Sequence, residues 1–200
     1  VQEPGLQLED VSIGALAGVD LAIAPGEIVC LSGPSGCGKS RLLRAVADLE
    51  PHGGRIRLGD RDQAAMPAHV WRRAVMLVPA ESQWWHERVG EHFAAVDPDA
   101  LAELGFEPEV VDWPVSRLSS GEKQRLALLR ALSVDPEALL LDEPTANLDA
   151  DSTARVEAWL VGIALDKRLP VLWVAHDRAQ IERVAQRHFR VSGDHLERQR

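Results

Sequence analysis

The chain has 200 residues, 46% of them hydrophobic, and 31 acidic against 22 basic side chains give it a formal net charge of −9. That composition supplies a full core for one domain, and the negative charge repels nucleic acid on average, so no nucleic-acid partner is expected. Apolar runs such as 171–175 fall far short of the roughly 18 residues a membrane-spanning candidate needs, and no basic-then-apolar segment opens the chain, so a cytoplasmic protein is expected.

Residues 6–11 and 19–24 read as short strands, and Pro25-Gly26 turns the chain into a third, 27–32. A glycine-rich segment then opens a helix that runs through Ala47. Residues 55–58 close at Gly59-Asp60 like one arm of a hairpin, and 74–78 form an apolar strand ending at Pro79. From about 83 to 135 no strand pattern is visible, and Pro98, Pro108 and Pro114 punctuate short helical stretches. This segment is expected to be a helical lobe inserted into a sheet domain. After it, strand 138–141, helix 151 to about 165, strand 171–175 and helix 178 to about 187 restore the alternation of a parallel sheet. There is no internal repeat. Cys30 and Cys37 lack partners at metal-ligand spacing, which points to reduced thiols, and the scattered histidines suggest no zinc site.

Gly33-Pro34-Ser35-Gly36-Cys37-Gly38-Lys39-Ser40 fits G-x-x-x-x-G-K-[ST], directly after an apolar strand and before a helix. This is the P-loop context, in which backbone N–H groups and a helix dipole receive phosphate. Gly36 and Gly38 let the chain wrap the phosphates, Lys39 reaches the β- and γ-phosphates, Ser40 is placed to ligate Mg²⁺, and Arg41 completes the nucleotide-binding set. The apolar run 139–141 ends at Asp142-Glu143-Pro144, putting anionic oxygens at the end of a buried strand, where Asp142 would hold Mg²⁺. Ser119-x-x-Glu122 stands ahead of Leu126, Leu129 and Leu132, a capping box that starts a helix. A serine hydroxyl, the Gly121 backbone and the positive end of a helix also make an anion site, and both readings hold together.

In this order, with Asn147-Leu148-Asp149 and with His176 after strand 171–175, the motifs resemble the nucleotide-binding subunit of an ATP-binding-cassette (ABC) transporter. The resemblance runs from residue 7 to about 191. It implies an α/β fold, namely a P-loop NTPase core with a mostly parallel sheet, an amino-terminal antiparallel β part and the inserted helical lobe. Residues 1–200 would form a single domain.

The same resemblance implies an ATPase that uses ATP and Mg²⁺, with Glu143 as general base and His176 as the switch histidine on the γ-phosphate. Ser119, Ser120, Gly121 and Glu122 would be the signature that completes ATP bound to the other subunit, and Asn147, Leu148 and Asp149 the D-loop across the interface. Two ATPase subunits, as homodimer or heterodimer, would sandwich two nucleotides and drive an integral membrane transporter subunit from the inner face of the membrane. The alternatives are a non-transport ABC ATPase of DNA repair or translation, which would carry a long insertion, second cassette or basic surface, and a degenerate binding-only cassette, against which intact Lys39, Asp142, Glu143 and His176 argue.

Two departures from the family pattern stand out. Ala80 in Val78-Pro79-Ala80-Glu81-Ser82 occupies the place of the Q-loop glutamine, leaving Glu81 or Gln83 as substitutes. No aromatic residue lies between Leu6 and Gly26, where the family stacks adenine, so the base is expected to rest on aliphatics such as Ile13 and Leu16. Trp84-Trp85 sits where the family groove receives a helix of the membrane subunit, and one of the two is expected to be exposed. The runs 118–132 and 171–177 are similar to those of small ATPases assigned to metal-ion export. Substrate and direction are otherwise not written in residues that handle ATP.

Overall fold

The computed structural model describes residues 5–199. Strands β1 (Leu6–Ile13) and β2 (Leu16–Ile23) pair antiparallel, and β4 (Gly53–Leu58) and the short β5 (Arg61–Asp62) extend them into a sheet of order β2-β1-β4-β5. Between β2 and β4 the chain makes β3 (Ile28–Ser32) and helix α1 (Lys39–Val46); after β5 come α2 (Ala68–Ala74) and β6 (Val75–Val78). Helices α3 (Pro98–Glu103) and α4 (Ser120–Leu132) follow, then β7 (Ala138–Asp142), α5 (Ala150–Asp166), β8 (Val171–Val174), α6 (Arg178–Val184), β9 (Arg187–Ser192) and β10 (His195–Arg198).

The second sheet has the order β10-β9-β3-β8-β7-β6, parallel throughout except for the antiparallel edge strand β10. Its central strands are apolar at almost every position because both faces are covered. Side chains alternate between two cores. Ile28, Cys30, Leu139, Leu141, Val171 and Trp173 face one core with α4, α5 and α6. Val29, Leu31, Leu140, Leu172 and Val174 face the other, shared with α1 and the antiparallel sheet.

Between β6 and β7, segment 83–135 holds α3, α4 and short 3₁₀ turns, with only an isolated bridge between Arg88 and Pro114. The prolines act as expected: Pro98 sits in the first turn of α3 behind the Asp97 cap, and Pro108 opens a 3₁₀ turn. Val89, Leu101, Leu104, Phe106 and Leu118 anchor the segment in the same core as α4.

The last helix is shorter than its sequence suggests. It ends at Val184, with Ala185 already extended (φ −98°, ψ 138°), and Arg187, expected inside the helix, opens β9 instead. Strands β9 and β10 escape a reading by hydrophobic pattern because Arg187, His188 and Arg190 interrupt the alternation, leaving Phe189 and Val191 as its only apolar members. Helix α2 likewise takes Ala74, expected as the first residue of the strand.

Candidate functional site

Strands β3, β8 and β7 are adjacent and parallel, so their carboxyl ends open on one side of the sheet, the usual place for ligands in an open α/β fold. The loop 33–38 leaves β3 there. Gly38 holds φ 104° as the amino-terminal cap of α1, with no side chain capping it. Gly33 adopts φ 148°, and a Cβ there would lie 3.0 Å from Cys37 Sγ and 3.1 Å from Val191 Cβ. Backbone N–H groups of the first turn of α1 have no helical acceptor, and no acidic side chain lies in that turn. Lys39 is 5% exposed, and its Nζ donates to the carbonyls of Gly33 and Pro34, both at 2.9 Å. Among the described residues no carboxylate pairs with it within 4.0 Å, so a buried cation is cradled by neutral groups at the mouth of a helix dipole. Such a site favours an anion.

Asp142 ends β7 and is 8% exposed. Burial raises its carboxyl above the usual carboxylate range, with Glu143 adding to the rise, while a hydrogen bond with Ser40 and the charges of Lys39 and His176 oppose it. Ser40 and Asp142 thus bring together two hard oxygen donors of the kind Mg²⁺ prefers. Glu143 leaves the strand in a left-handed conformation (φ 49°) while its N–H still donates to Val174 on β8 at 3.1 Å. That turn aims its carboxylate at His176, whose Nε2 lies 2.7 Å from Glu143 Oε1. Because a carboxylate only accepts, Nε2 carries the proton.

The expected residues therefore fall into two groups. Gly33 to Ser40, Asp142, Glu143 and His176 converge at the strand ends. Ser119 to Glu122 and Asn147 to Asp149 form a second group: a Cβ on Gly121 would meet Leu148 Cδ2 at 3.1 Å and Asn147 O at 3.2 Å. Among the described residues no hydrogen bond or ion pair joins the two groups. Ser119 caps α4: its Oγ accepts from Glu122 N at 3.2 Å, and its own N–H and hydroxyl donate to Glu122 Oε2, both at 2.8 Å. Asp149 caps α5 by accepting from Ser152 N at 2.8 Å. Ser119 and Ser120 are exposed.

The aliphatic base platform needs correcting. Ile13 and Leu16 are 5% and 1% exposed and belong to the core, because the β1–β2 hairpin turns these side chains inward. Only Gly14 and Ala15 present themselves at the turn. The planar group beside it is the Arg41 guanidinium, which a Cβ on Gly14 would meet at 2.4 Å from Nη1 and which Glu50 fixes by a hydrogen bond of 2.7 Å to Nε.

At the loop holding Ala80, Glu81 and Gln83 are exposed. The tie to the rest of the molecule comes from a residue the motifs did not single out: Gln124 of α4, 3% exposed, whose Nε2 lies 3.3 Å from the Pro79 carbonyl. Further on, Trp85 is 65% exposed and Trp84 half-buried against the core, as adjacent positions on one segment favour. Arg130 stacks over both rings at 4.6 and 4.8 Å and donates to the Gln83 carbonyl.

The model of the ABC transporter family matches residues 16–146. The chain belongs to the ABC transporter family. Over 176 residues it is 39% identical to the aliphatic sulfonates import ATP-binding protein SsuB 3 of Rhodococcus jostii, covering 86% of this chain and 63% of that one. It is 35% identical to the methionine import ATP-binding protein MetN of Xanthomonas oryzae pv. oryzae, covering 88% and 58%. The chain thus spans about three fifths of the length of these curated relatives. A bacterial Atm1-family ABC exporter solved with ATP bound superposes with a TM-score of 0.86 at 25% identity over 98% of this chain and 39% of that one, and the α/β fold of this ABC domain follows the family. The two relatives are named for import of chemically unlike solutes, aliphatic sulfonates and methionine.

Proposed function

We propose that this chain is the ATP-hydrolysing subunit of an ABC transporter, with residues 1–200 acting as one ATPase domain and about 83–135 as its helical lobe. The convergence of Lys39, the Ser40–Asp142 pair and the Glu143–His176 pair at the ends of three neighbouring strands carries this reading. In it, the loop amides and Lys39 bind the phosphates, and Ser40 and Asp142 hold Mg²⁺. Mg²⁺ held there would supply positive charge against the phosphates. Glu143 accepts the proton of the attacking water, and His176, whose Nε2–H donates to Glu143, keeps the carboxylate in place beside the γ-phosphate.

In this reading a lone chain holds only half of such a site, since Ser119 and Ser120 are exposed and no hydrogen bond or ion pair among the described residues ties them to the P-loop group. The reading therefore includes a dimer, of two copies or of two related chains, in which each signature closes the other's nucleotide. Among the described residues no helix is long and apolar enough to cross a membrane; in this reading an integral membrane subunit moves the solute, with this chain docked on its inner face. Relatives named for import and a neighbour titled an exporter are similar to the same domain, which supports reading solute choice as a property of the membrane subunit.

Phosphate release from Mg-ATP tests the reading. Glu143→Gln should lower turnover by about 10²–10⁴ while nucleotide still binds, the usual worth of a general base. Lys39→Ala should weaken ATP binding in calorimetry by the roughly 1.5–3 kcal/mol of a charge-assisted bond. Parental turnover in the first variant removes Glu143 as base, and parental affinity in the second removes the loop as phosphate site.

A further inference from the structure

Asp177 caps α6 directly after His176, and one turn later Gln180 points back toward β7. Its Nε2 lies 2.6 Å from Thr145 Oγ1 and 2.9 Å from Glu157 Oε1 on α5. Since the Glu157 carboxylate only accepts, the amide nitrogen is the atom that faces both. Arg183 closes the network through two bonds to the Glu157 oxygens, at 2.8 and 2.9 Å. Thr145, Gln180 and Glu157 are 8%, 8% and 4% exposed. Arg183 already balances the Glu157 charge, so charge compensation does not explain why an amide stands at 180.

Geometry does explain it. Glu143–His176 and Thr145–Gln180 are two hydrogen bonds between the same two segments, the turn after β7 and the start of α6, and all four residues line one cavity of about 260 Å³. The outer bond is wet, with 45% of the His176 and 35% of the Glu143 side chain exposed, and such a pair holds geometry weakly by itself. The inner bond is buried, where a satisfied polar network is stiff and directional.

We propose that Gln180 is a positioning residue for hydrolysis, which through Thr145 keeps the turn carrying Glu143 in register with His176. This rests on the reading of Glu143 and His176 as the hydrolytic pair. Gln180 bonds only Thr145 and Glu157 among the described residues, so it acts through them.

Steady-state and single-turnover hydrolysis of Mg-ATP test the proposal. Gln180→Leu should lower kcat by about ten- to hundredfold, the scale of a small misplacement of reacting groups, at a nearly unchanged KM. In a His176→Ala background the same change should add no further loss, because the pair it aligns is gone. Thr145→Val should reproduce the loss and Thr145→Ser, which keeps the hydroxyl, should retain the parental rate; this pair carries the test if Gln180→Leu does not fold. A parental kcat in Gln180→Leu or Thr145→Val, a change confined to KM, or an equal loss with and without His176 would overturn the proposal. Glu143→Gln runs alongside. Parental hydrolysis in that variant brings down the hydrolytic pair and this proposal with it, whereas loss there beside a fully active Gln180→Leu overturns the positioning role alone.

Discussion

The two cysteines show how far environment separates identical side chains. Cys30 is 0% exposed on β3, and burial, with Glu157 nearby, pushes its thiol up to about 12, so almost no thiolate exists at neutral pH. Cys37 is partly exposed within the loop, its Sγ 3.8 Å from Lys39 Nζ. A maleimide should therefore label Cys37 alone in the folded chain, and Mg-ATP should slow that labelling. Equal rates with and without nucleotide would contradict the placement of phosphate in this loop. The turn at Gly14-Ala15 carries a second residue-scale prediction. With Ile13 and Leu16 buried and no aromatic ring in the hairpin, base recognition lacks part of the roughly 1–3 kcal/mol that base–aromatic stacking supplies. GTP and CTP should then be hydrolysed within about tenfold of ATP, the ratio that 1.4 kcal/mol of preference produces. Turnover with the three nucleotides at equal free Mg²⁺ decides it, and a preference for ATP above about a hundredfold, or 2.7 kcal/mol, would reveal an adenine-reading element beyond Arg41.

Helix α4 joins stability to function at its first turn. The Ser119 N–H and hydroxyl donate to Glu122 and hold its carboxyl below the usual carboxylate range. A depressed value means that the fold favours the ionised form, so this stabilisation is present above the ordinary carboxylate range and is lost as pH falls through the depressed value. Ser119→Ala should cost about 0.5–2 kcal/mol, the worth of an amino-terminal cap. Glu122→Gln should destabilise at neutral pH by an amount that shrinks on acidification. Urea unfolding across that range checks both, and a Glu122→Gln deficit that stays constant with pH would show that the charge is not what matters. The cap was legible in the sequence because its partners are three residues apart, and β3, β7 and β8 were legible because burial on both faces leaves near-continuous apolar runs. The glycine-rich loop stood out by residue types at fixed spacing, whereas Glu143 and His176 were singled out through the family resemblance. What escaped depends on partners far apart in the chain. Gln180 meets residues 35 and 23 positions away, Gln124 reaches Pro79 across 45, and β9 owes its place to pairing with β3, none of which leaves a local pattern.

At the scale of the whole molecule, the two groups of motif residues are each built by their own elements and face different surroundings. The P-loop group is fixed by the strand ends, and the signature is fixed by the cap of α4 and by its contact with Leu148 and Asn147. Ser119 and Ser120 are exposed in the single chain, and in the proposed dimer another chain's phosphates would cover them. In the proposed dimer the γ-phosphate would be the group that two chains share, and its loss would remove the differential contact that holds them together. Blocking hydrolysis without blocking binding should therefore trap the pair. Glu143→Gln with Mg-ATP should sediment as a dimer in analytical ultracentrifugation, and should return to monomer when ADP replaces ATP or when Lys39→Ala is added to the same chain. Ser119→Ala should not serve as the comparison, since it also removes the cap. A bulky residue at Gly121 should, because it crowds Leu148 and Asn147 on the proposed dimer face while leaving the P-loop intact. A Glu143→Gln chain that stays monomeric at saturating Mg-ATP would sink the shared-phosphate dimer for two identical copies, and the same experiment repeated with a related ATPase chain would then decide whether the second half of the site comes from a different subunit.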